Sequence, residues 1–452
     1  MFRLEREGPL SAAPRERWNS RAGFVMAAVG SAVGLGNMWR FSYLAAEHGG
    51  AAFVVLYLGF TLIVGLPVLL AEFAVGRGAG RSPIPALEHF GGARWRWLGW
   101  LFVVTGFLIL AYYGVIAGWT LRYALAGLGG FGANPGEFFA EVSTGGAAVA
   151  WQLGFMALTA CVVVGGISKG IERVAVILMP ALFVLLVFLA LYAATLEGSS
   201  LGYRQYLNMN FAEIFDREVM VQAAGQAFFS LSLGMGAMLT FASYLDRGHD
   251  LKSESVVVAA SDFGVAFLAG LVVFPLIFAF GLQADVSGST VGALFITLPR
   301  AFAEMGAAGT VVGVLFFLGL AVGALTSAVS LLEVVVSSAI DGLGWSRVRA
   351  TFVLAAVTAA LGIPAALDLD WLGLMDQVAG NLFLVFGGLL LSLLVGWRMA
   401  DPIGVASEGA NSTAWFSAWR WLLRFVVPII LVLVLLGSLS ATLELVVAMG
   451  GD

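Results

Sequence analysis

The most informative residues of this chain interrupt its first apolar segment. Residues 22–46 are long enough to cross a bilayer, yet positions 30–41 read GSAVGLGNMWRF, with three glycines followed by Asn37 and Arg40. An unpaired backbone amide or a charge is costly in lipid, so we expect such an interruption only where it lines a site enclosed by protein. Near the middle of the chain, residues 228–236 read FFSLSLGMG and form a second interruption. Two interrupted helices at corresponding positions predict a transporter whose substrate site lies between them.

A second group of residues has the chemistry to bind a cation. Thr326 and Ser327 are adjacent hydroxyl side chains in an otherwise apolar segment. An interrupted helix also exposes carbonyl oxygens that a regular helix would use internally. Oxygen ligands of this kind suit a hard cation such as Na+. The alternative is that both hydroxyls bond to the backbone of their own helix.

The composition identifies the class of protein. Hydrophobic residues make up 60% of the 452 residues and charged residues only 11%, whereas a soluble domain carries about 25% charged residues. This predicts a polytopic membrane protein. The single Cys161 excludes internal disulfides and a cysteine metal site, and the three histidines show no metal-ligand spacing. With no nucleophile–base set and no cofactor motif, we expect that the protein is not an enzyme.

Eleven apolar segments have roughly the length of a membrane span. Arginine and lysine cluster before the first segment and in every second loop thereafter, which predicts a cytoplasmic N-terminus in the cell inner (plasma) membrane. An odd number of spans then places the C-terminus outside. The segments are residues 22–46, 51–76, 97–128, 147–166, 173–196, 219–245, 253–283, 309–340, 347–366, 370–395 and 420–447.

The first and the sixth segments each begin a set of five with an interrupted helix. Because five is odd, the second set enters the membrane from the opposite side. This predicts an all-α membrane protein with a 5+5 inverted repeat, in which helices 1 and 6 are unwound at mid-membrane, and with a peripheral helix 11. The predicted divisions are a cytoplasmic tail 1–20, a first repeat 21–200, an outer loop 201–218, a second repeat 219–396, an inner loop 397–419 and helix 11 at 420–452.

Four motifs together resemble those of a known family. They are WNSR at 18–21, the stretch 30–41, QAFFSLSLGMG at 226–236 and LTSA at 325–328. From about residue 15 to residue 395, their order and spacing resemble the neurotransmitter:sodium symporter family, and within it the bacterial amino-acid transporters with the leucine-transporter fold. Eleven helices instead of the more usual twelve would be a departure at the C-terminal end.

The resemblance implies two sites for Na+ as the coupling ion. The first site combines the carbonyl of Ala32 with the side chains of Asn37, Ser230 and Asp262. The second site combines two hydroxyls with three backbone carbonyls. The hydroxyls are those of Thr326 and Ser327, and the carbonyls are those of Gly30, Val33 and Gly323.

Asp262 departs from the pattern of many relatives, which carry asparagine there. Members that need chloride usually have a serine four residues later, and this chain has Ala266. Tyr57, Gln226 and Ser230 resemble the chloride ligands of the family. An ionised Asp262 would supply the negative charge that chloride otherwise brings, so we expect no chloride requirement. The alternative is a structural aspartate paired to a helix terminus.

The resemblance also implies an amino-acid site at the two interruptions. Free amides at Leu35 and Gly36 suit a carboxylate, and Tyr113 resembles the family's tyrosine that donates its hydroxyl to that carboxylate. Gly34 stands where monoamine-transporting members carry aspartate, so the substrate must bring its own carboxylate. A mostly apolar wall without charge predicts a neutral, hydrophobic amino acid. The other expected lining residues are Ser31, Ala32, Ile109, Phe229, Ser230, Ser232, Met235, Ser327 and Leu331.

Two charged pairs resemble the gates of the family. Arg40 and Asp376 correspond to the outer pair, with Phe229 as the aromatic lid over the substrate. Arg15 and Asp341 correspond to the inner pair, for which the alternative is ordinary solvated charges. Two further acids lie in apolar segments: Glu72 resembles the glutamate that caps the unwound part of helix 6, and Glu333 has no firm role.

Two other functions remain open on the sequence. One is transport of a β- or γ-amino acid or a related zwitterion, and the other is a non-transporting amino-acid sensor on the same fold. A sensor would need a large soluble signalling domain, and we see none in this sequence. The expected partners are therefore a small amino acid and the lipid bilayer, with no nucleic acid and no obligate protein partner.

Overall fold

A computed structural model describes residues 16–132, 134–209, 212–282, 293–410 and 412–449 of the protein. In these ranges the fold is all-α, and its only β-pairing is an isolated bridge between Gly50 and Met209. The helices are α1 (Arg21–Ala32), α2 (Gly36–Glu47), α3 (Ala51–Ala79), α4 (Pro83–Gly91), α5 (Ala93–Gly127), α6 (Pro135–Ser143), α7 (Gly145–Val164), α8 (Ile167–Ala194), α9 (Ser199–Leu207), α10 (Arg217–Ser230), α11 (Ala237–Ala242), α12 (Leu251–Ala279), α13 (Leu298–Glu304), α14 (Ala307–Leu343), α15 (Arg347–Leu367), α16 (Leu369–Arg398), α17 (Pro402–Ser407) and α18 (Ala414–Leu443).

The described residues contain nine helices that are long and apolar enough to cross a membrane, and ten if the bent pair α1 and α2 is counted as one span. The predicted sixth span is divided between α10 and α11, and each half is too short to qualify alone. The all-α membrane fold is therefore confirmed, and the total of eleven spans stays a prediction.

The first break follows the glycine-rich stretch of the sequence. Ser20 caps the start of α1, where its side chain accepts a hydrogen bond from the Gly23 amide. The helix ends at Ala32, because Val33 takes an extended backbone conformation. After a turn of about three residues the chain resumes in α2, bent by 55° from α1.

The second break separates α10 from α11. Asp216 caps α10 by accepting hydrogen bonds from the amides of Glu218 and Val219. Residues 231–236 then form turns in which Ser232 has a φ of 54° and Gly234 a φ of 78°. The left-handed region is unfavourable for a residue with a side chain, so Ser232 is held there by its surroundings.

Two long helices, α5 and α14, pack along each other through the centre of the bundle and support both breaks. The segment predicted as an outer loop at 201–218 contains most of α9, which packs on α12. The predicted inner loop at 397–419 contains α17. The last helix, α18, packs on α16 and α10, while Ile429, Leu433 and other side chains on its opposite face are exposed.

Candidate functional site

The two breaks are joined directly by hydrogen bonds from side chains at the second break to backbone carbonyls at the first. Ser232 Oγ donates to the Ser31 carbonyl at 2.8 Å, and Gln226 Nε2 donates to the Gly36 carbonyl at 2.9 Å. The Ser31 carbonyl lies at the interrupted end of α1, whereas the Gly36 carbonyl, in the first turn of α2, also accepts from the Phe41 amide. The interruption of one helix is therefore stabilised by residues of the other.

Asp262 is the centre of a buried polar cluster between α2, α3, α10 and α12. Its Oδ1 accepts from Asn37 Nδ2 and from Ser230 Oγ, both at 2.7 Å, and its Oδ2 accepts from Tyr57 OH at 2.7 Å. All four side chains are buried. The three side chains predicted for the first Na+ site thus meet, and Ala32 lies beside them on the cavity described below. These partners are side chains rather than the helix terminus that the alternative interpretation required.

The residues predicted for the second Na+ site lie where α1 meets α14. Ser327 Oγ reaches across to the carbonyls of Gly30 and Ser31, both at 3.2 Å. Thr326 Oγ1 instead bonds to carbonyls of its own helix, those of Val322 at 3.2 Å and Gly323 at 3.0 Å.

The glycines allow this close approach. A Cβ atom added to Gly30 would lie 3.0 Å from the Thr326 Cβ, and one added to Gly323 would lie 3.5 Å from the Val33 carbonyl oxygen. Hence the five residues are brought together, but only one of the two hydroxyls points across the interface.

A small cavity of about 30 Å³ lies between the breaks, and twelve of the thirteen predicted substrate residues line it. The thirteenth, Leu35, lies next to it and donates its backbone amide to Tyr113 OH at 3.2 Å. A Cβ atom at Gly34 would lie 2.5 Å from Ser327 Oγ and 2.8 Å from Tyr113 OH. Any side chain at position 34 would therefore displace the polar groups at this end of the cavity. The lining residues are Ser31, Ala32, Gly34, Gly36, Ile109, Tyr113, Phe229, Ser230, Ser232, Met235, Ser327 and Leu331.

Sequence reasoning missed Ser330, which organises the serines near the cavity. Ser31 Oγ donates to Ser330 Oγ at 2.7 Å, and Ser330 Oγ donates to the Ser327 carbonyl at 2.7 Å. The signal was present in the sequence, since Ser330 is one helical turn from Ser327 and shares its face.

The outer pair is not in direct contact. Arg40 Nη2 donates to Asn381 Oδ1 at 2.9 Å, and its guanidinium lies 5.0 Å from the centre of the Phe229 ring. Asp376 Oδ1 accepts from Tyr112 OH at 2.8 Å. Both charged side chains border a second cavity of about 260 Å³, which we name the outer cavity after the predicted outer pair. Sequence reasoning did not identify Asn381 or Tyr112, because neither lies in a recognisable motif.

At the opposite end of the bundle, only one residue of the predicted inner pair, Asp341, belongs to the described residues. Arg15 lies outside the described residues, and Asp341 Oδ2 accepts from the Ser82 amide at 2.8 Å. Trp18, from the WNSR motif, donates its indole N–H to the Phe241 carbonyl at 2.9 Å. This bond joins the start of α1 to α11.

Glu333, which had no firm role in the sequence, lies at the same end in a buried ion pair. It accepts from Arg347 Nη1 at 2.7 Å and Nη2 at 3.0 Å, and from Tyr244 OH at 2.7 Å. Arg347 also bonds to Glu16 at 2.9 Å. A buried carboxylate requires such partners, and the basic residue that supplies them is 14 positions away in the chain.

Two further buried carboxylates satisfy backbone amides. Glu72 accepts from the amides of Gly234 at 2.7 Å, within the second break, and of Leu239 at 3.1 Å, in α11 just after it. Glu172, at the start of α8, accepts from the Asn19 amide and from Ser20 Oγ, both at 2.8 Å. Glu72 therefore lies where the resemblance predicted a cap, and Glu172 is a partner that sequence reasoning missed.

Comparison with known proteins connects this geometry to a family. A family model described as the sodium:neurotransmitter symporter family matches residues 15–130 and 139–447. An uncharacterized sodium-dependent transporter of Bacillus subtilis, YhdH, is 36% identical over 94% of this chain and 98% of its own length. A similarly described protein of Methanocaldococcus jannaschii is 34% identical over 92% of this chain and 89% of its own.

A solved structure also matches over almost the whole chain. The crystal structure of MhsT in complex with L-phenylalanine has a TM-score of 0.85 and 39% sequence identity, covering 94% of this chain and 100% of that one. A sodium- and chloride-dependent GABA transporter of Drosophila melanogaster is more distant, at 28% identity over 85% of this chain and 47% of its own length. The predicted resemblance is confirmed: this chain belongs to the sodium:neurotransmitter symporter family and is a sodium-coupled transporter.

Proposed function

We propose that this protein imports neutral, hydrophobic α-amino acids together with Na+ by alternating access, and that it does so without chloride. The observation that carries the proposal is the cavity between the two breaks. Its twelve lining residues include no Asp, Glu, Lys, Arg or His. A charged substrate side chain would therefore be buried without a partner there, at a large cost in free energy.

One end of the cavity suits a carboxylate. The amide of Leu35 and the hydroxyl of Tyr113 lie together there, at the start of a helical segment whose dipole favours negative charge. A side chain at position 34 would collide with Ser327 Oγ and Tyr113 OH, so the protein does not place a carboxylate of its own there. A substrate that brings its own carboxylate to the Leu35 amide and the Tyr113 hydroxyl supplies that charge, and this favours an amino acid over an amine without a carboxylate.

The other end of the cavity suits an apolar side chain. Ile109, Met235 and Leu331 supply apolar walls, and Phe229 covers the outer side. The unbranched thioether of Met235 adapts to different shapes, which supports a broad preference among hydrophobic amino acids. The relative MhsT, whose structure was solved with L-phenylalanine, makes an aromatic amino acid a suitable first probe.

Asp262 supports coupling to Na+ without chloride. It accepts three hydrogen bonds, and all three come from neutral donors. An ionised carboxylate is an acceptor only, so this arrangement suits a negative charge. A negative charge beside Asn37 and Ser230 would balance Na+ at the same place where the chloride-dependent relatives use an anion.

The charge distribution supports a cytoplasmic N-terminus. Arg17, Arg21 and Arg347 lie at one end of the bundle, where they pair with Asp246, Glu254 and Glu333. Basic residues concentrate on the cytoplasmic side of membrane proteins. This end is therefore proposed to face the cytoplasm of the inner (plasma) membrane.

The membrane potential is sufficient to drive accumulation. One positive charge that crosses ~100 mV releases about 2.3 kcal/mol. This corresponds to an amino-acid gradient of about 50-fold, before any difference in Na+ concentration is counted.

Uptake into proteoliposomes tests the proposal. We expect uptake of labelled L-phenylalanine and L-leucine that depends on Na+ and continues when gluconate replaces chloride. Unlabelled hydrophobic α-amino acids should compete, while γ-aminobutyrate, β-alanine and lysine should not. Competition by β- or γ-amino acids alone would overturn the substrate class. Loss of uptake in gluconate would overturn chloride independence, and sodium-dependent binding without uptake would indicate a sensor.

A further inference from the structure

A chain of hydrogen bonds connects the outer-gate arginine to the last helix, α18. Arg40 Nη2 donates to Asn381 Oδ1 at 2.9 Å, and Asn381 Nδ2 donates to Gln377 Oε1 at 2.8 Å. Gln377 Nε2 then donates to Thr442 Oγ1 and to the Ser438 carbonyl, both at 3.1 Å. We name Asn381, Gln377 and Thr442 the outer relay. The sequence predicted that helix 11 is peripheral, yet Ser438 and Thr442 of this helix accept the last hydrogen bonds in the series.

The direction of every bond in the outer relay is determined at Arg40. A guanidinium can only donate, so the oxygen of Asn381 must face it and the amide nitrogen must face Gln377. The same argument turns the oxygen of Gln377 toward Asn381 and its nitrogen toward α18. Thr442 completes the series, because its hydroxyl donates to the Ser438 carbonyl at 2.7 Å.

Asn381 of the outer relay and Asp376 compete for the guanidinium of Arg40. Asn381, Gln377 and Asp376 are all on the π-helical part of α16, at Asp376–Phe383, and all border the outer cavity together with Arg40. Asp376 is held by Tyr112 on one side, whereas Arg40 is held by Asn381 on the other.

Arg40 keeps one nitrogen free for a second partner. Its Nη1 atom is buried and makes no hydrogen bond within the part of the chain that the structure describes. A buried donor without a partner is unfavourable, so the guanidinium gains by turning toward the carboxylate of Asp376. The bond to Asn381 opposes that movement.

We propose that the outer relay holds Arg40 on the side of α18 and thereby sets how readily the outer gate closes. Gln377, Asn381 and Thr442 are positioning residues that act through Arg40 and do not touch the substrate. This inference rests on the proposed gate role of Arg40 and Asp376. It assigns the last helix a part in gating, since removing the support from α18 frees the guanidinium to pair with Asp376.

Cysteine accessibility tests the inference without any substrate. The chain has a single cysteine, the exposed Cys161, so Cys161→Ser provides a cysteine-free background. Ile109→Cys then places a reporter on the cavity beneath Phe229. Intact cells in Na+ buffer without amino acid are treated with a membrane-impermeant methanethiosulfonate reagent, and the modification rate is measured.

In this background we expect Gln377→Met to lower the modification rate about 5-fold, because a neutral hydrogen bond that holds the gate open is lost. Thr442→Val, which keeps the side-chain shape, should lower it about 2-fold. Ser440→Ala is the matched control on the same helix, since Ser440 is exposed and, among the described residues, its hydroxyl bonds only to the Gly437 carbonyl. It should leave the rate unchanged.

A double variant distinguishes an effect on the gate from a general loss of packing. Adding Asp376→Asn to Gln377→Met removes the negative charge that competes for Arg40 and should restore the rate to that of Asp376→Asn alone. If Gln377→Met and Thr442→Val leave the rate unchanged, or if Asp376→Asn does not restore it, the inference is wrong. Because no amino acid is present in this assay, the modification rate can be interpreted even if the proposed substrate class is wrong.

Discussion

The two ends of the transporter are held by different chemistry. At the inner end, residues 16–21 bond to buried carboxylates on three helices: Arg21 to Glu254, Asn19 and Ser20 to Glu172, and Glu16 through Arg347 to Glu333. At the outer end, Arg40 is held by the neutral Asn381 beside an open cavity of about 260 Å³.

This difference indicates which end is harder to open. Separating a buried carboxylate from its partner leaves an uncompensated charge, which costs more than exchanging the bond from Arg40 to Asn381, because the guanidinium can take Asp376 as its new partner. In the proposed cycle, the inner end must therefore be opened by the free energy of binding Na+ and substrate. The outer end needs only a change of partner at Arg40.

The largest effect should come from breaking the buried ion pair at the inner end. Arg347→Met leaves Glu333, which is fully buried, with Tyr244 as its remaining side-chain partner, and we expect a loss of about 3–5 kcal/mol in stability. Thermal unfolding of the purified protein measures this as a lower Tm. Arg349→Met is the control, because Arg349 is exposed and lies over the Trp345 ring. Adding Glu333→Gln should recover part of the loss, and a further decrease in Tm would contradict the prediction.

A smaller effect is expected where Glu172 holds the start of α1. Glu172→Gln keeps the shape but weakens two charge-assisted hydrogen bonds, to the Asn19 amide and Ser20 Oγ. We expect α1 to open more easily by about 1.5–3 kcal/mol, seen as more than tenfold faster hydrogen exchange over residues 16–30. Glu197→Gln, an exposed loop residue, serves as the control. Unchanged exchange would mean that Glu172 does not hold the inner end closed.

At the outer end, removing one neutral partner should favour closure. Tyr112→Phe deletes the hydroxyl that bonds to Asp376 at 2.8 Å and frees the carboxylate for Arg40. We expect about a 10-fold slower modification of a cysteine placed at Ile109, because a hydrogen bond to a charged carboxylate, worth about 1.5 kcal/mol, is lost. A faster reaction would show instead that Tyr112 helps to close this end.

The smallest effect should come from the exposed ion pair of the inner end. Arg17 and Asp246 are 2.6 Å apart, but their side chains are 70% and 55% exposed. Exposed pairs contribute less than about 1 kcal/mol, so Arg17→Gln should change hydrogen exchange over residues 16–30 less than about 5-fold. An effect as large as that of Glu172→Gln would show that surface charge also holds this end.

Much of the candidate site was predictable because its residues lie in two local patterns. The glycines and polar residues at 30–37 and 228–236 cannot form regular lipid-facing helices, so their position in the sequence already indicated a site. The motifs then identified the family, which the comparisons confirm. The roles of the individual ligands and gates stay predictions.

The partners of the charged groups were not predictable in the same way. Asn381 is 341 positions from Arg40, and Glu172 is 152 positions from Ser20. No local period relates residues at such separations, so only the packing of the helices brings them together. Glu333 illustrates the point, because the sequence showed an acid in an apolar segment but not the arginine that neutralises it.

By itself, the sequence determined that this is a helical membrane protein, and it predicted two interrupted helices with a site between them, because lipid tolerates polar backbone only where protein encloses it. The tertiary structure decided which atoms meet. It turned Ser327 toward α1 and Thr326 toward its own helix, gave Asp262 three neutral donors, and paired Arg40 with Asn381 rather than Asp376. The reason is physical: hydrogen bonds and ion pairs depend on distances of about 3 Å, and between residues far apart in the chain only helix packing sets such distances.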